Sequence, residues 1–243
     1  MRIPRVYTDR PLAAGDGVLL EQAPSHHLLR VLRLKPGDPV ALFNGDGNEY
    51  RAVLENTEQK CARLSVQGMI CPQRESRLTI SVGQGVSRGE RMDLVVQKAV
   101  ELGVQAITPL WTRRSQVRLS GDRLDKRLSH WRGIVHSACE QSGRVRLPEF
   151  HASATLDEWL AAHHTPATGL VLDPQADITL RDLPPQTSVR LLVGPEGGLE
   201  ASELASASAA GYQAVRLGPR VLRTETATLA ILAALQTLWG DFR

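Results

Sequence analysis

The sequence is short of several things at once. Only ten of its 243 residues are Phe, Trp or Tyr, so a core must come from Leu, Val, Ile and Ala. Its three cysteines, Cys61, Cys71 and Cys139, include no CxxC pair. That odd, scattered set argues against a disulfide scaffold or a structural zinc site and toward a reducing cytoplasm. No apolar run approaches the roughly 18 residues that span a bilayer, so no membrane partner is expected. The longest run, near 227–235, is broken by Thr228. MRIPRVYTDR lacks the apolar centre of a secretion signal. Lysine is scarce too: four, against 25 arginines.

What is present is globular. Hydrophobic residues make up 42% and charged residues 23%, enough for one large domain or two modest ones. The net charge of +3 hides an asymmetry. Residues 111–150 hold nine basic and four acidic side chains, and residues 151–210 hold two basic and eight acidic. Arginine makes planar, bidentate contacts to phosphate, so the basic cluster points toward nucleic acid. A GC-rich genome would raise arginine everywhere, but it does not explain the clustering.

Residues 1–72 read as short strands between Gly/Asp/Asn turns, with alternation at 18–20, 39–43, 49–54 and 61–67. One helix is expected over 25–32, capped by Ser25. A boundary falls in the polar, proline-containing stretch 71–76. From there strands and helices alternate. Strands are expected at 78–82, 106–110, 169–172, 189–193 and 214–217. Helices are expected at 89–102, 123–142, 156–162, 200–210 and 224–238. Such alternation predicts a mostly parallel sheet covered by helices.

Chemistry concentrates in loops. Val193-Gly194-Pro195-Glu196-Gly197-Gly198 follows an apolar strand and precedes a helix. A tight turn needs one glycine or two; three, with Pro195 and Glu196, suit a ligand approaching bare backbone at a strand's carboxyl end. The acid and the missing Lys-Ser/Thr argue against phosphate and for a neutral or cationic ligand. Leu217-Gly218-Pro219-Arg220-Val221-Leu222-Arg223-Thr224-Glu225-Thr226 is a second such link, where Thr224 or Thr226 could cap the next helix. Gly83-Gln84-Gly85-Val86-Ser87-Arg88-Gly89 nearly matches a dinucleotide fingerprint but is one residue too long. Glu140-Gln141-Ser142-Gly143-Arg144 ends the long basic helix. His26 and His27 are adjacent, so they diverge on a helix, and no third metal ligand is evident. Arg30 and Arg33, with Arg2 and Arg5, could form a phosphate-contacting face as readily as a solvated one.

At these residues the chain resembles the small-subunit (16S) ribosomal RNA uridine-N3 methyltransferases, of the SPOUT class. The matching stretches are RIPRVY, HHLLRVLRLKPGD, SRGERMDLVVQKAVELGV, ITPLWTRRS, ACEQSGR, LLVGPEGGLEASE and LGPRVLRTETATLAILAALQ. The resemblance runs end to end and is loose only over 151–187. It implies a PUA-like RNA-binding β-barrel at 1–72 and a SPOUT α/β methyltransferase domain at 73–243 with a C-terminal trefoil knot. It also implies S-adenosylmethionine as cofactor, a homodimer and no metal. The cofactor would lie against Leu172, Asp173, Val193, Gly194, Pro195, Glu196, Gly197, Gly198, Leu217, Gly218, Arg220, Leu222 and Thr224. Arg2, Arg5, Arg30, Arg33, Arg88, Arg113 and Arg114 are the expected RNA contacts. Arg223, then Arg144, is expected to stabilise negative charge on the uracil carbonyls, with Glu140 as a possible general base. Rival readings are a ribose 2′-O-methyltransferase of the same class and a non-catalytic RNA-binding assembly factor.

Overall fold

Two rhythms of hydrophobicity run through the chain. The structure, a computed structural model, describes residues 3–117, 119–162 and 167–242. It divides into two units: residues up to Glu75 with Cys139–Leu147, and Ser76–Ala138 with Pro148 onward.

In the first unit, β1 (Arg5–Tyr7), β2 (Gly17–Leu19), β3 (Pro39–Phe43), β4 (Glu49–Glu58) and β5 (Cys61–Ile70) form one sheet in the order β1-β3-β4-β5-β2. β1 lies parallel to β3; the other neighbours are antiparallel. Period-two alternation drives this. Tyr50, Ala52 and Leu54 on β4 and Ala62, Leu64 and Val66 on β5 face a core shared with Val6, Val18, Leu28, Val40 and Leu42. Each leucine hidden there contributes roughly 1.5–3 kcal/mol. Bulges between Arg51/Ala52 and Leu54/Asn56 bend the long hairpin around that core. β4 and β5 run past their expected ends because the turn is only Gln59-Lys60, whose φ values of 49° and 71° suit a two-residue hairpin.

The helix expected over 25–32 is displaced. α1 spans Gln22–His26, and a wide π turn continues over His27–Val31. Pro24 fits a first helical turn, where no N–H is needed, so the helix starts early. Ser25 caps nothing. Its buried hydroxyl accepts the Ala62 N–H at 2.9 Å and donates to the Leu20 carbonyl.

The second unit contains β6 (Thr79–Gly85), α2 (Glu90–Glu101), β7 (Ala106–Trp111), α3 (Asp122–Ser142, to Ala138), β8 (Glu149–Phe150), β9 (Ala154–Thr155) and α4 (Leu156–Ala161). β10 (Thr168–Leu172), β11 (Ser188–Val193), α5 (Ala201–Ala209), β12 (Gln213–Val215) and α6 (Thr224–Trp239) follow. The sheet order is β12-β10-β11-β6-β7-β8, with β9 also on β7, and every pair is parallel. The two-residue strands β8 and β9 are too short to carry a sequence signal.

α2 buries Met92, Val95, Val96, Ala99 and Val100, a single helical stripe, and packs on α6. Trp159 of α4 and Ala207 of α5 cover a second core with Leu110, Val171 and Leu192. The glycines of β6 have packing reasons. A Cβ on Gly83 would sit 2.7 Å from the Trp159 ring, and one on Gly85 would sit 2.4 Å from the Pro195 nitrogen. The near-dinucleotide pattern therefore marks close approach of protein to protein.

Candidate active site

Because the strands are parallel, the carboxyl ends of the adjacent β12, β10 and β11 open on one side, where ligands bind in such sheets. A cleft of about 680 Å³ lies there, within the usual ligand range of about 300–1,000 Å³. Leu172 and Asp173 follow β10 into it. Val193, Gly194, Pro195, Glu196, Gly197 and Gly198 line it after β11. Leu217, Gly218, Arg220, Leu222 and Thr224 line it after β12. Every residue expected to meet the cofactor thus lies on one cleft. Sequence reasoning missed Arg114 as part of it, having placed that residue with RNA. Arg114 Nη1 donates to the Gly197 carbonyl at 3.0 Å.

A buried polar network shapes the wall. Gln84, fully buried on β6, accepts from the Thr228 hydroxyl at 2.7 Å and donates to Thr224 Oγ1 at 3.1 Å. Thr224 in turn donates to the Gly194 carbonyl at 2.7 Å. The capping role expected of Thr224 or Thr226 is not found. Arg223 occupies the N-cap of α6, and no side chain caps it. Thr224 is turned across the site instead, because Gly194 and Gln84 offer it partners there.

Glu196 is not the open acid its loop suggested. Its Oε1 accepts the Arg88 N–H at 2.8 Å and Arg91 Nη1 at 2.9 Å. Burial pushes this carboxyl up, yet these hydrogen bonds, its own N–H and the Arg91 charge outweigh burial and hold it below the usual range. Glu225 stands 4.0 Å from the same guanidinium. The second carboxylate oxygens of Glu196 and Glu225 are buried without a hydrogen-bond donor among the described residues.

The expected catalytic residues divide. Arg223 is exposed, with no side-chain ion pair or hydrogen bond among the described residues, and its neighbours Leu222 and Thr224 line the cleft. Arg144 belongs to the first unit and is 5% exposed. Its Nε and Nη2 hold Glu75 Oε2 at 3.0 and 2.7 Å, an internal ion pair instead of the open cation expected. Glu140, also in the first unit, accepts the Tyr7 N–H at 2.9 Å, and burial raises its pKa.

Of the expected RNA contacts, Arg2 lies outside the described residues. Arg5 does not contribute to a phosphate-contacting face. It is turned inward, paired with Glu49, hydrogen-bonded to the Arg144 carbonyl at 2.8 Å and 4.9 Å above the Phe43 ring. Alternation along β1 puts it there. Arg30 and Arg33 are exposed around the π turn, Arg33 at φ 57°, beside exposed Val31 and Leu32. Arg88 and Arg113 are exposed, Arg113 within 3.7 Å of Glu200. Among the described residues no group of three or more His, Cys, Asp or Glu could hold a metal, and no helix is long and apolar enough to cross a membrane.

Comparison with known proteins agrees with this geometry. A family model described as an RNA methyltransferase domain matches residues 74–236, and one described as an RNA methyltransferase PUA domain matches residues 21–64. The chain is 34% identical to ribosomal RNA small subunit methyltransferase E of Buchnera aphidicola subsp. Schizaphis graminum, over 99% of this chain and 98% of that one. It is 33% identical to its namesake from Mycobacterium bovis, covering 96% and 90%. The crystal structure of that methyltransferase from Neisseria gonorrhoeae, bound to S-adenosyl methionine, matches with 41% identity, full coverage of both chains and a TM-score of 0.93. A methyltransferase of Legionella pneumophila in complex with the same cofactor matches with 37% identity, full coverage and a TM-score of 0.95. The fold and cleft define a class: a two-part α/β RNA methyltransferase carrying a PUA domain. Within that class the chain belongs to the ribosomal RNA small subunit methyltransferase E family.

Proposed function

We propose that this protein binds S-adenosylmethionine in the 680 Å³ cleft and methylates N3 of a uridine in small-subunit ribosomal RNA. The observation that carries the reading is the convergence of three strand-end loops on one backbone-lined cleft. The cofactor fits it. Gly198 and Gly218 take φ values of 70° and 111°, and a Cβ on either would meet no protein atom within 4 Å, so bare backbone faces open space. The donorless oxygens of Glu196 and Glu225 favour a cationic ligand. When bound, the cofactor supplies an electrophilic methyl group.

The chain's task is to orient the uracil and remove its N3 proton, since a protonated N3 has no free lone pair. Arg223 is proposed to stabilise negative charge on the neighbouring carbonyls, because it stands unpaired beside the cleft. Glu140, already raised toward neutrality by burial, is the rival as general base. Arg30 and Arg33 are proposed to hold RNA phosphates, with Arg88 and Arg113 adding contacts from the second unit. Residues 1–72 would bind RNA and residues 73–243 would carry the chemistry, in the cytoplasm.

A homodimer belongs to the same reading. Val221 is 81% exposed, and Leu238 and Phe242 are each 44% exposed. Leu229, Ala230 and Ala233 of α6 stay half-buried, which leaves an apolar face for a second subunit. The knot would be tied where residues 194–199 and 217–223 meet; the packing of α6 back onto α2 supports it. Single-turnover methylation against pH tests the chemistry. Arg223→Ala is expected to lose the chemical step while keeping cofactor and RNA. Full activity in that variant, with loss in Glu140→Gln, would transfer the role to Glu140.

A further inference from the structure

A second cleft, of about 470 Å³, lies in the second unit between the loop leaving β6 and the first turns of α3. Arg123, Lys126, Arg127 and His130 line it. Their spacing of i, i+3, i+4 and i+7 puts all four on one face of the helix. Val86, Val117 and Leu119 supply apolar wall, and Trp131, 1% exposed, lies at its base.

Two of the four cations are already committed. Asp93 accepts Trp131 Nε1 at 2.9 Å, meets His130 Nε2 at 2.8 Å and stands 3.4 Å from Arg127. Arg127 also donates to the Gly89 carbonyl at 2.8 Å and lies 5.2 Å above the Trp131 ring. Arg123 and Lys126 are exposed and have no ion pair or side-chain hydrogen bond among the described residues. Asp122 and Asp125 sit on the same turns but do not line the cleft. The result is an apolar recess with two uncompensated cations at its rim and two more fixed behind them.

We propose that this recess seats one nucleotide of the RNA chain, with a phosphate on Arg123 and Lys126 and the base against Val86, Val117 and Leu119. A free phosphate would leave the apolar wall unused and the volume unfilled, and a purely apolar ligand would leave the cations unmatched. A nucleotide offers an anion and a flat apolar ring at once. The seat adjoins the cofactor cleft's own loop, because Arg88 between Ser87 and Gly89 donates its N–H to Glu196. The proposal rests on the RNA methyltransferase reading and names where that enzyme grips its substrate.

The test uses the full-length protein, a 20-nucleotide single-stranded RNA carrying the target uridine, and fluorescence anisotropy across salt concentration. R123E/K126E is expected to weaken RNA binding at least tenfold at low salt. It should also reduce the slope of log affinity against log salt by about 1.4, at ~0.7 per lost phosphate contact. R123K/K126R should bind like the native chain. Glutamates suit the first turns of a helix, so the reversal should not unfold α3. Native RNA affinity and slope in R123E/K126E would overturn the proposal. Inorganic polyphosphate should compete poorly with the RNA; equal competition per phosphate would remove the base from the seat. Calorimetric titration with S-adenosylmethionine is run on both proteins. Failure of the native chain to bind it would sink the methyltransferase reading, while the RNA data would still judge the seat.

Discussion

Gly85 matters for the atom it lacks. Its backbone touches that of Pro195, so Gly85→Ala forces the cofactor loop off β6. Overpacking of this kind costs about 1–3 kcal/mol. We expect a lower melting temperature and a tenfold or greater loss of cofactor affinity by calorimetry. Gly198→Val acts differently: no protein atom stands in its way, but φ is 70° and the cofactor's space is taken. It should abolish cofactor binding in a folded protein. The loop's glycines were legible from their number and their place after a strand. Gly85 was not, since the partner that excludes its Cβ lies 110 residues further on. Glu196 predicts a pH dependence. A carboxyl depressed in the folded state adds stability above its unfolded pKa and loses it as pH falls through the folded one. Cofactor affinity should therefore hold above the ordinary glutamate value of about 4.3 and decline below it. Glu196→Gln should flatten that acid limb in titrations at successive pH values; an unchanged limb would detach Glu196 from the loop's order. Cys139 is buried and its thiol is pushed up to about 12, chiefly by burial. It should resist alkylation in the native protein while exposed Cys71 reacts, as peptide mass mapping would show.

At the scale of elements, long periodic segments were legible and their ends were not. α2 and α6 announced themselves through apolar spacing, and β3 through a bounded apolar run. Short strands such as β8 are fixed by tertiary pairing alone, so nothing local signals them. The polar residues at the start of α6 invited a capping assignment, because caps are decided locally. The structure uses them across the sheet, and that choice depends on Gln84, distant in sequence. Thr228→Val tests the network. It removes the hydroxyl that satisfies Gln84 Oε1 and leaves a buried acceptor unpaired, a cost of about 1–3 kcal/mol. Urea unfolding should show that loss, and cofactor affinity should fall with it, since Gln84 and Thr224 together fix Gly194. A stability loss with unchanged affinity would separate the network from the cleft.

At the scale of the molecule, the fold class followed from alternation, since strands that alternate with helices have few other ways to bury both faces. The unit boundary was harder. Residues 139–147 cluster with the first unit although they follow α3, and a linear reading cannot see a segment that returns. Deleting residues 1–72 would strip that cluster of partners and leave Cys139 and Val145, both buried in the intact chain, without cover. The functional separation of the units is therefore better probed by surface charge reversal in the full chain. The central claim is tested most directly by incubating the full-length protein with methyl-labelled S-adenosylmethionine and either small-subunit ribosomal RNA or assembled subunits, then digesting to nucleosides. The account predicts label in 3-methyluridine alone, lost in Gly198→Val. Label in a ribose-methylated nucleoside, or none on either substrate, would contradict it.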